Sequence, residues 1–263
     1  DMIKAMRTAA SGMAAQQMNV DNIANNLANV NTTGFKKSKL EFQDVLYQNY
    51  RRAGTATALG SEVPTGLAIG YGTRPASTVR SYTTGDMSMT GNPLDIAIEG
   101  DGFLQVRLPD GSTAYTRDGA LKLSADGDIV TSDGYFVIPE INLPSDTTSV
   151  SIGSDGTIEV MQVGQDAPAE IGSLELARFT NPAGLVAIGK NLMMETGASG
   201  DPQTGQPGSE GLGMVNQGYL EMSNVEVVDE MVNMIVAQRA YEMNSKAIQT
   251  ADDMSSIANN LKR

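Results

Sequence analysis

Two helical segments with seven-residue spacing, one near each end of the chain, are the feature that most limits its fold. Between residues 2 and 30, Met6, Met13, Val20 and Leu27 form one row, with Ile3, Ala10 and Ala24 in the row beside it. That spacing holds side chains on one narrow stripe of a helix. Asn31, Thr32, Thr33 and Gly34 end the segment, because small polar side chains compete for backbone hydrogen bonds and Gly accepts a positive φ. Phe35 follows as an anchor. At the far end Val227, Met231, Met234, Tyr241, Ile248, Met254 and Leu261 share a stripe on a helix from about Val225 onward, uninterrupted by Pro or Gly. Such spacing suits coiled-coil packing, and a narrow seam leaves the rest of each helix free. The two helices are expected to pair.

The sequence between them changes character. From Gly54 to Gly72 it is rich in Gly, Thr, Ala and Ser, which reads as an extended or loop-like connector. From Leu94 to about Phe179 short alternating segments recur: Ile96-Ala97-Ile98, Phe103-Leu104-Gln105-Val106, Leu121-Lys122-Leu123 and Thr157-Ile158-Glu159-Val160. Period-two alternation predicts half-buried strands. Asp110-Gly111, Asp118-Gly119, Asp126-Gly127, Asp133-Gly134 and Asp155-Gly156 punctuate them, supplying the left-handed conformations of tight hairpins. The middle is therefore an antiparallel β domain, and the polar stretch from Thr196 to Gly213 returns the chain to the last helix. The expected fold is α+β: long N- and C-terminal helices pairing as a coiled coil around an inserted antiparallel β domain. The expected divisions are an N-terminal core helix over 1–45, a connector over 46–92, the β domain over 93–217 and a C-terminal core helix over 218–263.

Charge follows the same partition. Residues 1–52 carry net +3 and residues 219–263 net −3, so the whole excess of −13 falls on residues 53–218. This suggests a neutral packed core of helices and a solvated acidic exterior, and it argues against a nucleic-acid partner. With no cysteine there is no disulfide or thiol chemistry. With no histidine, the usual general base and imidazole ligand are missing along with every Ser-His-Asp arrangement. No apolar run approaches the roughly 20 residues of a membrane helix, and no signal-peptide pattern opens the sequence. Neither membrane insertion nor a cleaved export signal is expected.

Candidate chemistry is sparse. Asp126-Gly127-Asp128 lacks the spacing and closing Glu of a calcium loop. Gly70-Tyr71-Gly72 and Gly211-Leu212-Gly213 lack the third Gly and preceding strand of a dinucleotide loop. Glu99, Asp101, Asp110 and Asp118 could include a glycosidase-like carboxylate pair, which would make the acidic domain a wall hydrolase, but turn positions account for each Asp. No catalytic residue, cofactor or metal ligand is assigned. Asn22, Asn25, Asn26 and Asn29 share one helix face, and as poor helix formers they are better explained by amides exchanging hydrogen bonds across a helix interface. Gln238, Arg239 and Tyr241 are plain surface or join neighbouring subunits.

The run Ile23-Ala24-Asn25-Asn26-Leu27-Ala28-Asn29-Val30-Asn31-Thr32-Thr33-Gly34-Phe35-Lys36 closely resembles the N-terminal signature of flagellar rod and hook proteins. Gly218-Tyr219-Leu220-Glu221, Ser223-Asn224-Val225, Val232-Asn233-Met234-Ile235 and Gln238 through Ala247 resemble the family's C-terminal signature. Leu108 to Gly111 and Ala114 to Gly119 fit as well, so the resemblance spans nearly the whole chain. Leu46 to Pro75 resembles the connector of the distal rod member. Met13, Met18 and Met231 stand where Leu is usual, which softens packing but keeps it apolar.

The resemblance implies a structural subunit, not an enzyme, that polymerises into the hollow, straight distal rod and transmits torque to the hook. It implies export through the flagellar type III apparatus without a cleaved signal and assembly in the periplasmic part of the basal body. The implied partners are further copies of the chain, proximal rod and hook proteins and the surrounding rings. The expected assembly residues are Met6, Met13, Val20, Asn22, Asn25, Asn26, Leu27, Asn29 and Phe35 at one end, and Asn224, Val227, Met231, Met234, Gln238, Arg239, Tyr241, Asn244 and Ile248 at the other. Alternatives are a proximal rod or hook subunit, the wall hydrolase, and a soluble coiled-coil adaptor forming closed oligomers.

Overall fold

The computed structural model describes residues 2–51 and 65–260. The part of the Gly54 to Gly72 stretch before residue 65, and Leu261, lie outside the described residues. The chain divides into two compact units. One gathers the residues up to Leu27, Ser38–Val79 and those from Glu226 onward; the other gathers Ala28–Lys37 and Arg80–Val225.

In the first unit, α1 (Met2–Ala28) and α2 (Val227–Asn260) pack together. A Cβ added to Gly12 would lie 2.9 Å from Asn244 Nδ2, and Asn26 Nδ2 donates to Glu230 Oε2 at 3.3 Å. Fourteen residues forward on α1 thus correspond to fourteen backward on α2, so the helices are antiparallel. Along α2, Glu230, Ala237 and Ala251 are buried and Met234, Ala240, Asn244, Ser245, Ile248 and Ser255 half-buried. Within that band Glu230, Met234, Ala237, Asn244, Ile248, Ala251 and Ser255 follow a spacing of three and four if the exposed Tyr241 is counted between Ala237 and Asn244. On α1, Ala9, Ala15, Ile23 and Asn26 are buried and Gly12 touches the partner helix. The contact is made mostly of small residues, which lets the backbones approach closely. The expected row Met6, Met13, Val20 and Leu27 is only half-buried, and Ile3, Ala10 and Ala24 are exposed.

The same unit holds a long two-stranded ribbon. Ser38–Asp44 pairs with Thr73–Arg80, and Tyr47–Arg51 pairs antiparallel with Leu67–Gly70. Hydrogen bonds from Val45 N to Gly72 O (3.0 Å) and from Tyr71 N to Leu46 O (3.1 Å) join the two parts. An isolated two-stranded ribbon is at best marginal in water.

The second unit is a β structure. Its largest sheet runs Val186–Gly189, Leu192–Met194, Thr113–Thr116, Phe103–Arg107, Phe136–Ile138, Ile129–Val130 and Lys122–Leu123, with Leu176–Arg178 bridging Phe103–Arg107 and Gln203–Gly205. Three smaller sheets accompany it, the largest being Thr147–Ile152, Thr157–Gln162 and Ala169–Ser173. The pairs are antiparallel, as the alternation predicted.

The expected half-burial needs correction in the central strands. Phe103, Leu104, Gln105 and Val106 are all buried, and so are Ile96, Ala97 and Ile98. One face of the Phe103 strand faces an aliphatic cluster of Leu104, Val106, Ile129, Ile158, Leu174 and their neighbours; the other faces Phe103, Tyr115, Phe179 and Met193. The Thr157 strand alternates as expected. The turn at Asp118-Gly119 is also corrected. Gly111, Gly127, Gly134 and Gly156 do adopt positive φ in their hairpins, but Gly119 is absent from that set. There a Cβ would fall 1.7 Å from the Ile96 carbonyl oxygen, so the Gly is needed for close approach. The polar return from Thr196 to Gly213 contains a strand, Gln203–Gly205, paired with Leu176–Arg178.

Candidate assembly interface

The second unit has a buried ionic centre. Glu221 is fully buried; its Oε1 accepts from Lys36 Nζ at 2.5 Å and from Gly85 N at 3.0 Å, and its Oε2 accepts from Arg117 Nε at 2.8 Å. Two cations against one anion would leave an excess positive charge. Backbone carbonyls offset it: Lys36 donates to Thr83 O at 2.7 Å, and Arg117 donates to Gly100 O, Gly102 O and Ile98 O at 2.8, 2.7 and 3.1 Å. Every charge in the cluster therefore has partners, which is the condition for burying it at all. Burial pushes the Glu221 carboxyl up, but Arg117 and Lys36 together outweigh it and hold the group below its ordinary range. Burial also lowers Lys36, more than its attraction to Glu221 raises it.

Backbone contacts extend this centre into a clasp. Gly34 N donates to Glu221 O at 2.7 Å, and Gly34 has φ +68° where a Cβ would lie 2.7 Å from the Arg117 carbonyl carbon. Asn224 Oδ1 accepts from Lys37 N at 2.7 Å, and its Nδ2 donates to Ser81 O and Thr83 O at 2.9 and 3.1 Å. Phe35 lies beneath the Arg80 guanidinium, 6.0 Å from ring centre to cation. Asn224 and Phe35, expected at an interface between subunits, are thus engaged within the chain.

In the helical unit the Asn face is largely internal too. Asn22 and Asn26 both donate to Ser38 O at 2.8 Å, and Asn26 Oδ1 accepts from Ser38 N at 3.0 Å, so together they hold the start of the ribbon. Asn26 also reaches across to α2, donating to Glu230. Asn29 Oδ1 accepts from Thr32 Oγ1 just past the helix end, and Asn25 is exposed.

The outer side of α2 is different. Val228, Val232, Ile235, Val236 and Met243 are 53–72 % exposed. At 100° per residue these five fall within one stripe, and that stripe lies opposite the seam of Glu230, Ala237, Asn244 and Ala251. An amphipathic surface helix should be polar there. This helix carries apolar surface on both sides, so its outer stripe calls for a partner.

Comparison with known proteins finds relatives over the whole chain. Residues 6–36 match the family described as Flagella basal body rod protein, residues 97–160 the Flagellar hook protein FlgE/F/G D1 domain, and residues 216–261 the Flagellar basal body rod FlgEFG protein C-terminal. The flagellar basal-body rod protein FlgG of Borreliella burgdorferi is 54% identical over 264 residues, covering 100% of both chains. The chain belongs to the FlgG family of flagellar rod proteins. The FlgG proteins of Caulobacter vibrioides and Bacillus subtilis are 48% and 40% identical, over 99% and 100% of this chain and 100% of each relative.

In this FlgG-family chain the expected interface residues separate into three groups. Asn25, Val227, Met231, Gln238, Arg239 and Tyr241 are exposed. Met6, Met13, Val20, Leu27, Asn29, Met234, Asn244 and Ile248 are half-buried. Asn22, Asn26, Phe35 and Asn224 are tied up in the contacts above. Sequence reasoning missed the ionic centre of Lys36, Arg117 and Glu221; the signal available was that a Lys and a Glu stood inside the two signatures. It also missed Val228, Val232, Ile235, Val236 and Met243, a stripe with i, i+4, i+7, i+8 spacing parallel to the one chosen.

Three of the acids weighed for hydrolysis, Asp110, Asp118 and Glu99, make structural contacts. Asp110 accepts from Ser112 Oγ and N at 2.6 and 2.9 Å, contacts that lower its pKa, and Asp118 caps Ala120 N at 3.1 Å while burial raises its carboxyl. Glu99 accepts from Asn216 Nδ2 at 2.9 Å. Among the described residues there is no group of three or more acidic side chains placed to hold a metal ion, and no helix long and apolar enough to cross a membrane.

Proposed function

We propose that this chain is the structural subunit of the distal flagellar rod, polymerising through its paired terminal helices into the hollow, straight shaft that carries torque to the hook. The observation that carries the reading is the outer stripe of α2, apolar and exposed opposite a seam that is already occupied. FlgG relatives matched over their full length supply the identity of the assembly. Antiparallel pairing with three-four spacing supports a short coiled coil as the unit that polymerises. The interface then includes Val227, Met231, Gln238, Arg239 and Tyr241 together with the five stripe residues, while Asn22, Asn26, Phe35 and Asn224 act by holding each subunit's own shape. Proximal rod and hook subunits, the basal-body rings and the type III export apparatus are the further partners of the reading, with assembly in the periplasm and no cleaved signal.

Electron microscopy of the purified, concentrated chain tests this. Straight hollow filaments are expected, with helical content rising on assembly as the outer surfaces order one another. Curved filaments favour a hook subunit, and closed oligomers favour an adaptor.

A further inference from the structure

With no cysteine, histidine or tryptophan, the chain offers a mild oxidant little besides the thioethers of its 15 methionines. Exposure sorts these sulfurs. Met193 is buried, and its sulfur already accepts a hydrogen bond from Tyr82 Oη at 3.1 Å. On α2 the position is reversed: Met243 and Met254 are 72 % and 58 % exposed. Met254, about three helical turns past Met243, continues the outer stripe of Val232, Ile235 and Val236. Met231, 53 % exposed, borders the same stripe. Three reactive sulfurs therefore stand on the surface that the self-assembly reading needs to be apolar.

We propose that Met231, Met243 and Met254 are oxidation sites that gate polymerisation: hydrogen peroxide acting on the free chain converts them to sulfoxides and disables the stripe. This rests on the self-assembly reading and adds its regulation. The sulfur lone pair attacks one peroxide oxygen and the O–O bond breaks; that oxygen passes to sulfur and the other leaves as water. The thioether gives up two electrons and peroxide takes them. On the free chain water solvates the new S–O dipole. Packed against valine and isoleucine between copies, the same group loses that water. The donors one turn from Met243, Arg239 and Lys246, are charged, so satisfying the sulfoxide with them would draw an ion into the contact. Assembly acts in the opposite direction, because a neighbour that covers the stripe shields its sulfurs.

The full-length chain is treated with hydrogen peroxide before or after it is concentrated, sulfoxides are located by peptide mass spectrometry, and filaments are viewed by electron microscopy. In the free chain the three sulfurs should oxidise about tenfold faster than Met193, and the concentration needed for filaments should then rise about tenfold. Filaments formed first should slow oxidation at the three positions by a similar factor. A variant with Met231→Leu, Met243→Leu and Met254→Leu keeps the stripe apolar at similar volume. Measured against its own untreated filaments, it should lose the peroxide effect, although Met89 and Met214, exposed on the β unit, still take up oxygen. Parent filaments that form unhindered with the three sulfoxides in place overturn the gate and leave the assembly reading standing; so does a leucine variant as sensitive as the parent. A leucine variant that forms no filaments passes the decision to the parent, where sulfurs that oxidise as fast in filaments as in the free chain overturn the proposal. An untreated parent without filaments overturns both readings.

Discussion

At Glu221 three charged side chains are shut away from water and each is met by a partner; along α2 five large apolar side chains face solvent opposite a seam that is already filled. The first arrangement is complete within one copy and the second is not. Glu221 and the stripe both lie within the matched C-terminal segment, residues 216–261, so that segment contains two kinds of residue: some close the fold, and others are left over for a neighbour. A family motif is therefore a poor guide to which surface polymerises until burial has been assigned.

The contrast can be broken most forcefully at the clasp. Glu221→Ala leaves Lys36 and Arg117 buried without their anion, and about 3–5 kcal/mol of stability should be lost from the β unit. Urea unfolding followed through the tyrosine signal would read it, and a loss under about 1 kcal/mol would mean the cluster is far better hydrated than its geometry indicates. Gly12→Val comes next. Its Cβ would meet Asn244 at 2.9 Å, so overpacking should cost the helix pair about 1–3 kcal/mol, seen as reduced helical signal at elevated temperature with the β unit intact.

Acid should act through the same carboxylate. The Glu221 pKa is lower folded than its ordinary 4.5, so its contribution is fully present above that value and is lost as pH falls through the folded value below it. The acid-unfolding curve of Glu221→Gln should lack that segment, and curves of identical shape would assign acid sensitivity to other groups. The smallest effect belongs to the stripe. Val228→Ser should change monomer stability by no more than about 0.5 kcal/mol, since the side chain is 67 % exposed, and a larger loss would show that the stripe is packed within the monomer.

Much of this was legible in the sequence. The two long helices, the antiparallel strands and four of the five Asp-Gly hairpins follow from periodicity and turn chemistry, because those signals are local. The seam on α2 was found in part, since Met234 and Ile248 lie on it with Tyr241 at its margin while Val227, Met231 and Met254 are exposed. The reason is physical: α2 is apolar on both faces, so several seven-residue rows fit it, and one sequence does not say which row meets α1. Small residues such as Gly12, Ala15 and Ala237 carry little hydropathy, yet Ala15 and Ala237 are buried and Gly12 lies against Asn244. Lys36, Arg117 and Glu221 are separated by 81 and 104 positions, and only the tertiary fold brings them together. Gly119 looked like its fellow turn glycines, though the Ile96 carbonyl beside it belongs to a strand far away in sequence.

The central claim is that the exposed stripe of α2 is an assembly surface and not part of the fold. Val232→Asp with Ile235→Asp, concentrated beside the parent chain and viewed by electron microscopy, puts that claim at risk most directly. The account predicts parent filaments and a variant that keeps its full helical and β signals yet stays dispersed. A variant that forms filaments at the parent's concentration would contradict it.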